Sequence, residues 1–143
     1  MITRAKWVAA LGTLALAGGS SGVALAAIEH PGLGQYIVRI SVTPKVVRGH
    51  GHAHITVEGH AAKPVDLAVY AASDRTCSAT AEGEATHKTD PGHFLYRIAV
   101  NGRITPVHST YLAHKKGTWY ACAYLYTNAN HSLAGAQASW REE

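Results

Sequence analysis

The chain has 143 residues, with 13 Lys plus Arg, 9 Asp plus Glu, 10 His and a formal charge of +4. Removing Arg4 and Lys6 with the leader described below leaves 11 basic against 9 acidic residues, a charge of +2. That balance is too mild and too scattered to argue for nucleic acid or an anionic membrane as partner. The length fits one small domain.

Residues 1–26 are predicted to be a signal peptide, with the domain at 27–143. Arg4 and Lys6 give a basic start, an apolar run follows from Trp7 to Leu16, and Ala24-Leu25-Ala26 is a small-x-small cleavage site. The apolar run is too short to span a bilayer, so no transmembrane anchor is expected in the mature chain. Export to the medium or the cell envelope follows as the expected location.

Residues 35–43 alternate, with Tyr36, Val38, Ile40 and Val42 on one face and Arg39, Ser41 and Thr43 on the other, and Pro44 stops the run. Residues 52–58 alternate again, placing Ala53, Ile55 and Val57 opposite His52, His54, Thr56 and Glu58. A third strand is predicted at 65–72, followed by a polar, irregular stretch at 73–92 that holds Cys77. Residues 94–100 form a strand pattern that ends at Asn101-Gly102, a two-residue hairpin signal. The return strand is expected at 103–112, with Pro106 marking an edge or a bulge. After the turn at Lys115-Lys116-Gly117 comes the most regular stretch, 117–126, and a last strand follows at 132–141 with Ala134, Ala136, Ala138 and Trp140 on one face. No segment shows a helical period.

Cys77 and Cys122 fit a single disulfide in an oxidising compartment. Such a bridge closes a loop of about 45 residues and contributes about 4 kcal/mol by chain entropy.

Seven short strands with frequent turns predict an all-β fold, a seven-stranded antiparallel sandwich. Thr43-Pro44 after the first strand, a second strand bounded by Gly51 and Gly59, Cys77, and Gly117-Thr118-Trp119-Tyr120-Ala121-Cys122 together resemble the small secreted immunoglobulin-like domains of bacteria. The resemblance implies an immunoglobulin-like sandwich with one disulfide, with Tyr120 as a corner tyrosine two residues before Cys122. The partner cysteine lies beyond the third strand, so the antibody-type bridge across the sheets is not expected. The resemblance brings no activity with it.

His50-Gly51-His52-Ala53-His54 is the stretch with metal chemistry. On a strand, i and i+2 side chains lie on one face roughly 6.5–7 Å apart, and two imidazoles so placed can chelate one ion at about 2.0–2.1 Å. In an immunoglobulin-like sheet the second strand pairs with the fifth, which carries His108. Counting back from the Asn101-Gly102 turn sets Leu95 opposite His108. If Phe94, Tyr96 and Ile98 fill the core, His108 then faces out beside His52 and His54. One reading is therefore a surface site for Zn, Cu or Ni from His52, His54 and His108, with His50 as a spare ligand. The other is a set of solvated histidines, whose protonation below about pH 6 makes solubility or adhesion pH-dependent.

The order of His52-Ala53-His54, Cys77, His93 and Cys122 is also similar to that of the copper–zinc superoxide dismutases. The His54-to-Cys77 spacing is too long for that family, and no motif matches its zinc-binding aspartate loop or its late arginine. Tyr120, Tyr124 and Tyr126, with Tyr70 beside them, form either part of the core or an outward aromatic face for a glycan or peptide. No nucleophile elbow, P-loop or His-Glu-x-x-His motif is present, so no catalytic residue is assigned. The expected function is a secreted, non-enzymatic binding or structural module for a protein or glycan partner, without an obligatory cofactor.

Overall fold

The computed structural model describes residues 35–143 and the backbone of residues 26–28; the leader reading over 1–25 lies outside the described residues. The strands are β1 (Ala26–Ile28), β2 (Tyr36–Thr43), β3 (Val46–Val47), β4 (Ala53–Ser73), β5 (His93–Tyr111), β6 (Gly117–Asn128) and β7 (His131–Glu142). One short helix, α1 (Ala81–Ala85), lies between β4 and β5. Among the described residues these seven strands form one curled sheet, antiparallel except where β3 runs alongside β7.

The strands predicted at 52–58 and 65–72 are one strand, β4, and those at 94–100 and 103–112 are one strand, β5. The two pair along their whole length, from Ala53 opposite Tyr111 to Ala71 opposite His93. Asn101-Gly102 is therefore not a hairpin. A two-residue hairpin turn of that sequence needs positive φ at both residues. Here only Gly102 is left-handed, at φ 70°, and it faces Ala61 at a register shift between Ala61 and Val65. Three residues of β4, Ala62, Lys63 and Pro64, stand against Asn101 alone. That excess bends the ribbon.

The bend folds the sheet over itself. Up to Ala61 the edge of β4 away from β5 is taken by β2, and from Asp66 onward the same edge is taken by β6, which in turn pairs with β7. Val38, Ile40, Val42, Ile55 and Val57 from the first layer then face Leu67, Val69, Trp119, Ala121, Ala123, Leu125 and the alanines of β7 from the second. Trp119 lies opposite Trp140, with rings stacked at 6.0 Å, and is fully buried. That burial contributes about 4 kcal/mol. Small alanines along β6 and β7 leave room for the larger side chains of the first layer. The chain passes from first layer to second through the cis Thr43–Pro44 bond into β3 on β7.

The outer face of the second layer is apolar and needs a cover. Ala68, Tyr70, Ala72, Cys122, Tyr124 and Tyr126 make a second buried cluster, closed by the segment 74–92. Cys77 is disulfide-bonded to Cys122, as the sequence predicts, with Cα atoms 5.7 Å apart. The bridge ties the covering segment to the outside of β6 rather than one layer to the other. The segment is not irregular throughout. Thr80 caps α1 by accepting from Gly83 N at 3.0 Å, and α1 presents Glu84 inward.

Glu84 is fully buried and fully engaged. Its carboxylate accepts from Arg75 at 2.6 and 3.2 Å, from Ser78 N at 2.7 Å and from the Tyr124 hydroxyl at 3.1 Å. Arg75 also donates to the Asp90 carbonyl at 2.5 and 3.1 Å, so both ends of the segment meet at one ion pair. Gly92 lies so close that a Cβ there would come within 2.7 Å of the Glu84 side chain. Burial, then the Glu84 charge, pushes the Tyr124 hydroxyl far above its ordinary range. Replacing Glu84 by Gln leaves Arg75 without its counter-charge. The variant is expected to lose about 3 kcal/mol with the disulfide intact, read as a lower urea midpoint at unchanged slope. A loss below about 0.5 kcal/mol would show that the pair does not hold the cover.

Candidate binding face

Among the described residues the outer face of the first layer carries no such cover. Three strands build it. From β2 come Arg39, Ser41 and Thr43; from β4 come His54, Thr56, Glu58 and His60; from β5 come Arg103, His108 and Thr110. The register sets them in rows: Thr43, His54 and Thr110; Ser41, Thr56 and His108; Arg39 with Glu58; Ile37, His60 and Arg103. His54, His60, His108, Arg39 and Arg103 are all exposed. Thr56 Oγ1 and His108 Nδ1 share a hydrogen bond at 3.0 Å, which fixes the ring of His108 against the sheet.

A bulge decides which side chains share this face. Val57 pairs with Val107 and Gly59 with Ile104, so Thr105 and Pro106 together oppose Glu58. Val107 and Ile104 are both inward partners of β4 although one is odd and one even in number. Arg103 and His108, of opposite parity, therefore both point outward. Proline at a bulge removes no ladder hydrogen bond, and the sequence signal at Pro106 marked the place. Gly59 is the other requirement: a Cβ there would lie 1.9 Å from the Ile37 carbonyl oxygen, so only glycine lets β2 approach this closely.

The sequence-predicted ligands separate. His52, His54 and His108 are all exposed, as expected, but His108 lies opposite Thr56, not Leu95. His54 and His108 are diagonal neighbours on adjacent strands, a spacing of about 7–8 Å. His52 precedes β4, and His50 lines a cleft at the end of the molecule with His114, Lys115, Lys116 and Glu142. Among the described residues no three His, Cys, Asp or Glu side chains are gathered closely enough to hold a metal ion. The remaining aromatic histidine contacts lie elsewhere: His93 and His114 meet at 5.1 Å and both pack on Trp119. Tyr111, in the same nest, has its hydroxyl pushed up to about 12 by burial, then by Asp90 and Glu142.

Of the two readings of the tyrosine row, the structure has the buried one. Tyr70, Tyr124 and Tyr126 are buried under segment 74–92, and Tyr120 is half-buried at its margin. The Tyr124 hydroxyl donates to the Ser78 carbonyl at 2.7 Å, which ties β6 to the covering segment. Phe94 does not join Tyr96 and Ile98 in the core. A register shift between Val69 and Tyr70 turns it outward, 60% exposed, with its ring edge-on to Tyr70 at 5.6 Å. β6 is thus buried on both faces, one by the core and one by the cover.

No family model matches the chain, and no curated protein matches it. Solved structures similar to part of it include a superoxide reductase (neelaredoxin) from Ignicoccus hospitalis, at 16% identity and TM-score 0.47, covering 74% of this chain and 80% of that one. An alkylpurine DNA glycosylase, AlkC, from Pseudomonas fluorescens, bound to DNA containing an abasic-site analog, aligns at 18% identity and TM-score 0.45, covering 74% of this chain and 30% of that one. A β-glucosidase from Listeria innocua in complex with gluconolactone aligns at 9% identity and TM-score 0.40, covering 75% of this chain and 16% of that one. Likeness at this level carries no argument about activity.

Proposed function

We propose that the chain is an exported, non-enzymatic binding or structural module, that its curled sheet is of the immunoglobulin-like type, and that its contact surface is the polar face of β2, β4 and β5. The observation that carries the reading is the contrast between the two outer faces. One is apolar and closed by a segment held by a disulfide and a buried ion pair. The other is polar, exposed and rigidly backed by the core. Binding residues presented on strands of a packed scaffold are held in place before a partner arrives, which lowers the entropy cost of association. The disulfide supports an oxidising compartment. Strands that change layer at bends and bulges, as β4 and β5 do, support a sandwich.

The Thr56–His108 pair resembles half of a nucleophile–base arrangement, but among the described residues no side chain is hydrogen-bonded to the other imidazole nitrogen. It therefore serves to orient the ring. The test is binding to peptide and glycan arrays by the wild type beside a His54→Glu, His108→Glu variant. The proposal expects a set of spots retained by the wild type and lost by the variant. Identical spot patterns for both would remove this face as the contact surface.

A second reading, a Zn, Cu or Ni site using His54 and His108, is favoured by the fixed ring of His108, since oriented imidazoles bind metal better than free ones. Titration calorimetry on chelator-stripped protein separates the two. The first reading expects no binding tighter than ~100 μM at neutral pH. Tighter binding that disappears in a His54→Ala, His108→Ala variant would establish the metal site instead.

A further inference from the structure

We infer that the hollow at the bulged end of this face binds a phosphate or sulfate ester carried on a saccharide. The inference rests on the reading of this face as the contact surface and names its ligand. Arg39, Glu58, His60 and Arg103 line a hollow of about 250 Å³ together with Ile37, Gly59, Ile104 and Pro106.

The charges are available. Among the described residues neither Arg39 nor Arg103 has an ion pair within 4.0 Å, although Glu58 lies directly across from Arg39 on the next strand. His60 is directly across from Arg103 and diagonal to Arg39. Arg39 and Arg103 stand two strands apart and two residues out of line, about 12 Å at the backbone. Guanidinium stems of that length can close on one tetrahedral anion from opposite sides, each offering parallel donors matched to its oxygens. The Thr105-Pro106 bulge is what turns Arg103 to this side. Without it Arg103 would face the core and the hollow would have one guanidinium.

Glu58 argues for an ester over a free anion. Its carboxylate repels a small dianion that fills the hollow, but it accepts from a hydroxyl placed beside the anion. A polyhydroxyl scaffold bearing one phosphate or sulfate meets both demands, with the ester group between the arginines and a neighbouring hydroxyl on Glu58.

The test follows amide chemical shifts of the intact protein on addition of a sulfated heparin-derived tetrasaccharide, of a saccharide phosphate such as glucose 6-phosphate, or of inorganic sulfate. The variants are Arg39→Gln with Arg103→Gln, and Glu58→Gln. All three positions are exposed, so unchanged thermal unfolding is expected and is checked first. The inference expects an ester probe to shift residues around Gly59, Arg103 and Ile104, weakening as salt rises. The double arginine variant should weaken it at least about tenfold, the scale of lost charge-assisted bonds. Glu58→Gln should tighten inorganic sulfate while weakening the ester. Which ester binds better distinguishes sulfate from phosphate as the group taken. Shifts centred on His54 and His108 and indifferent to the arginines would overturn the inference while leaving the face as a contact surface. No shift with either ester at millimolar concentration would overturn it also, and the array experiment then stands as the separate test of the face.

Discussion

The structure depends on one bend. A ribbon of two strands, each about twenty residues long, cannot enclose a core while it stays flat. Three residues of β4 set against Asn101, with Gly102 in the left-handed region, fold that ribbon so that its two halves face one another. β2 can then pair with the first half and β6 with the second along the same edge of β4. The apolar side chains of both halves meet across the interior. The register shift is a local misfit in the ladder, and the closed core compensates for it many times over.

The bend also creates two outer faces with opposite fates. Beyond it, β4 and β6 are apolar on both sides, so the outer side must be covered. The cover is the segment between β4 and β5, which has little apolar content of its own. It is held instead by strong discrete interactions: the Cys77–Cys122 bridge, the Arg75–Glu84 pair and the Tyr124 hydroxyl. A buried ion pair is a weak source of net stability but a strict one, because breaking either side leaves an unpaired charge. Asp90 belongs to the same clamp. Burial opposes its charge, yet hydrogen bonds from the Ser73 hydroxyl and amide, and the nearby Arg75 and Lys115, hold its carboxyl below the usual range. Before the bend, the outer face is already polar and needs nothing over it. That difference leaves one outer face apolar and covered and the other polar and exposed among the described residues.

Much of this was legible in the sequence. Alternation placed Val38, Ile40, Val42, Ile55 and Val57 inward and His54 and Thr56 outward, because period-two burial holds wherever a strand is regular. The cysteine pair followed from its number and the expected compartment. What alternation could not carry was any feature that depends on a bulge. Phe94 lies across a register shift from the residues used to predict it, so it points opposite to the expectation, and Arg103 shares the polar face with His108 because of the Thr105-Pro106 bulge. Asn101-Gly102 carries the composition of a hairpin and the geometry of a bend, and local sequence does not distinguish two strands pairing with each other from two halves pairing with a third. Glu84 was invisible for a different reason. A carboxylate in a polar loop looks solvated until the arginine nine residues earlier and the tyrosine forty residues later close on it.

The most direct measurement of the account is the set of cross-strand nuclear Overhauser contacts around Asn101. A continuous, bent ribbon predicts contacts joining Ile55 to Ser109 and Leu67 to Ile98, with Ala61 near Gly102. Contacts joining Val100 to Arg103 and Ile98 to Thr105 would instead mean that β5 turns back on itself. The fold of the sheet, and the polar face built from both sides of the bulge, would then both be wrong.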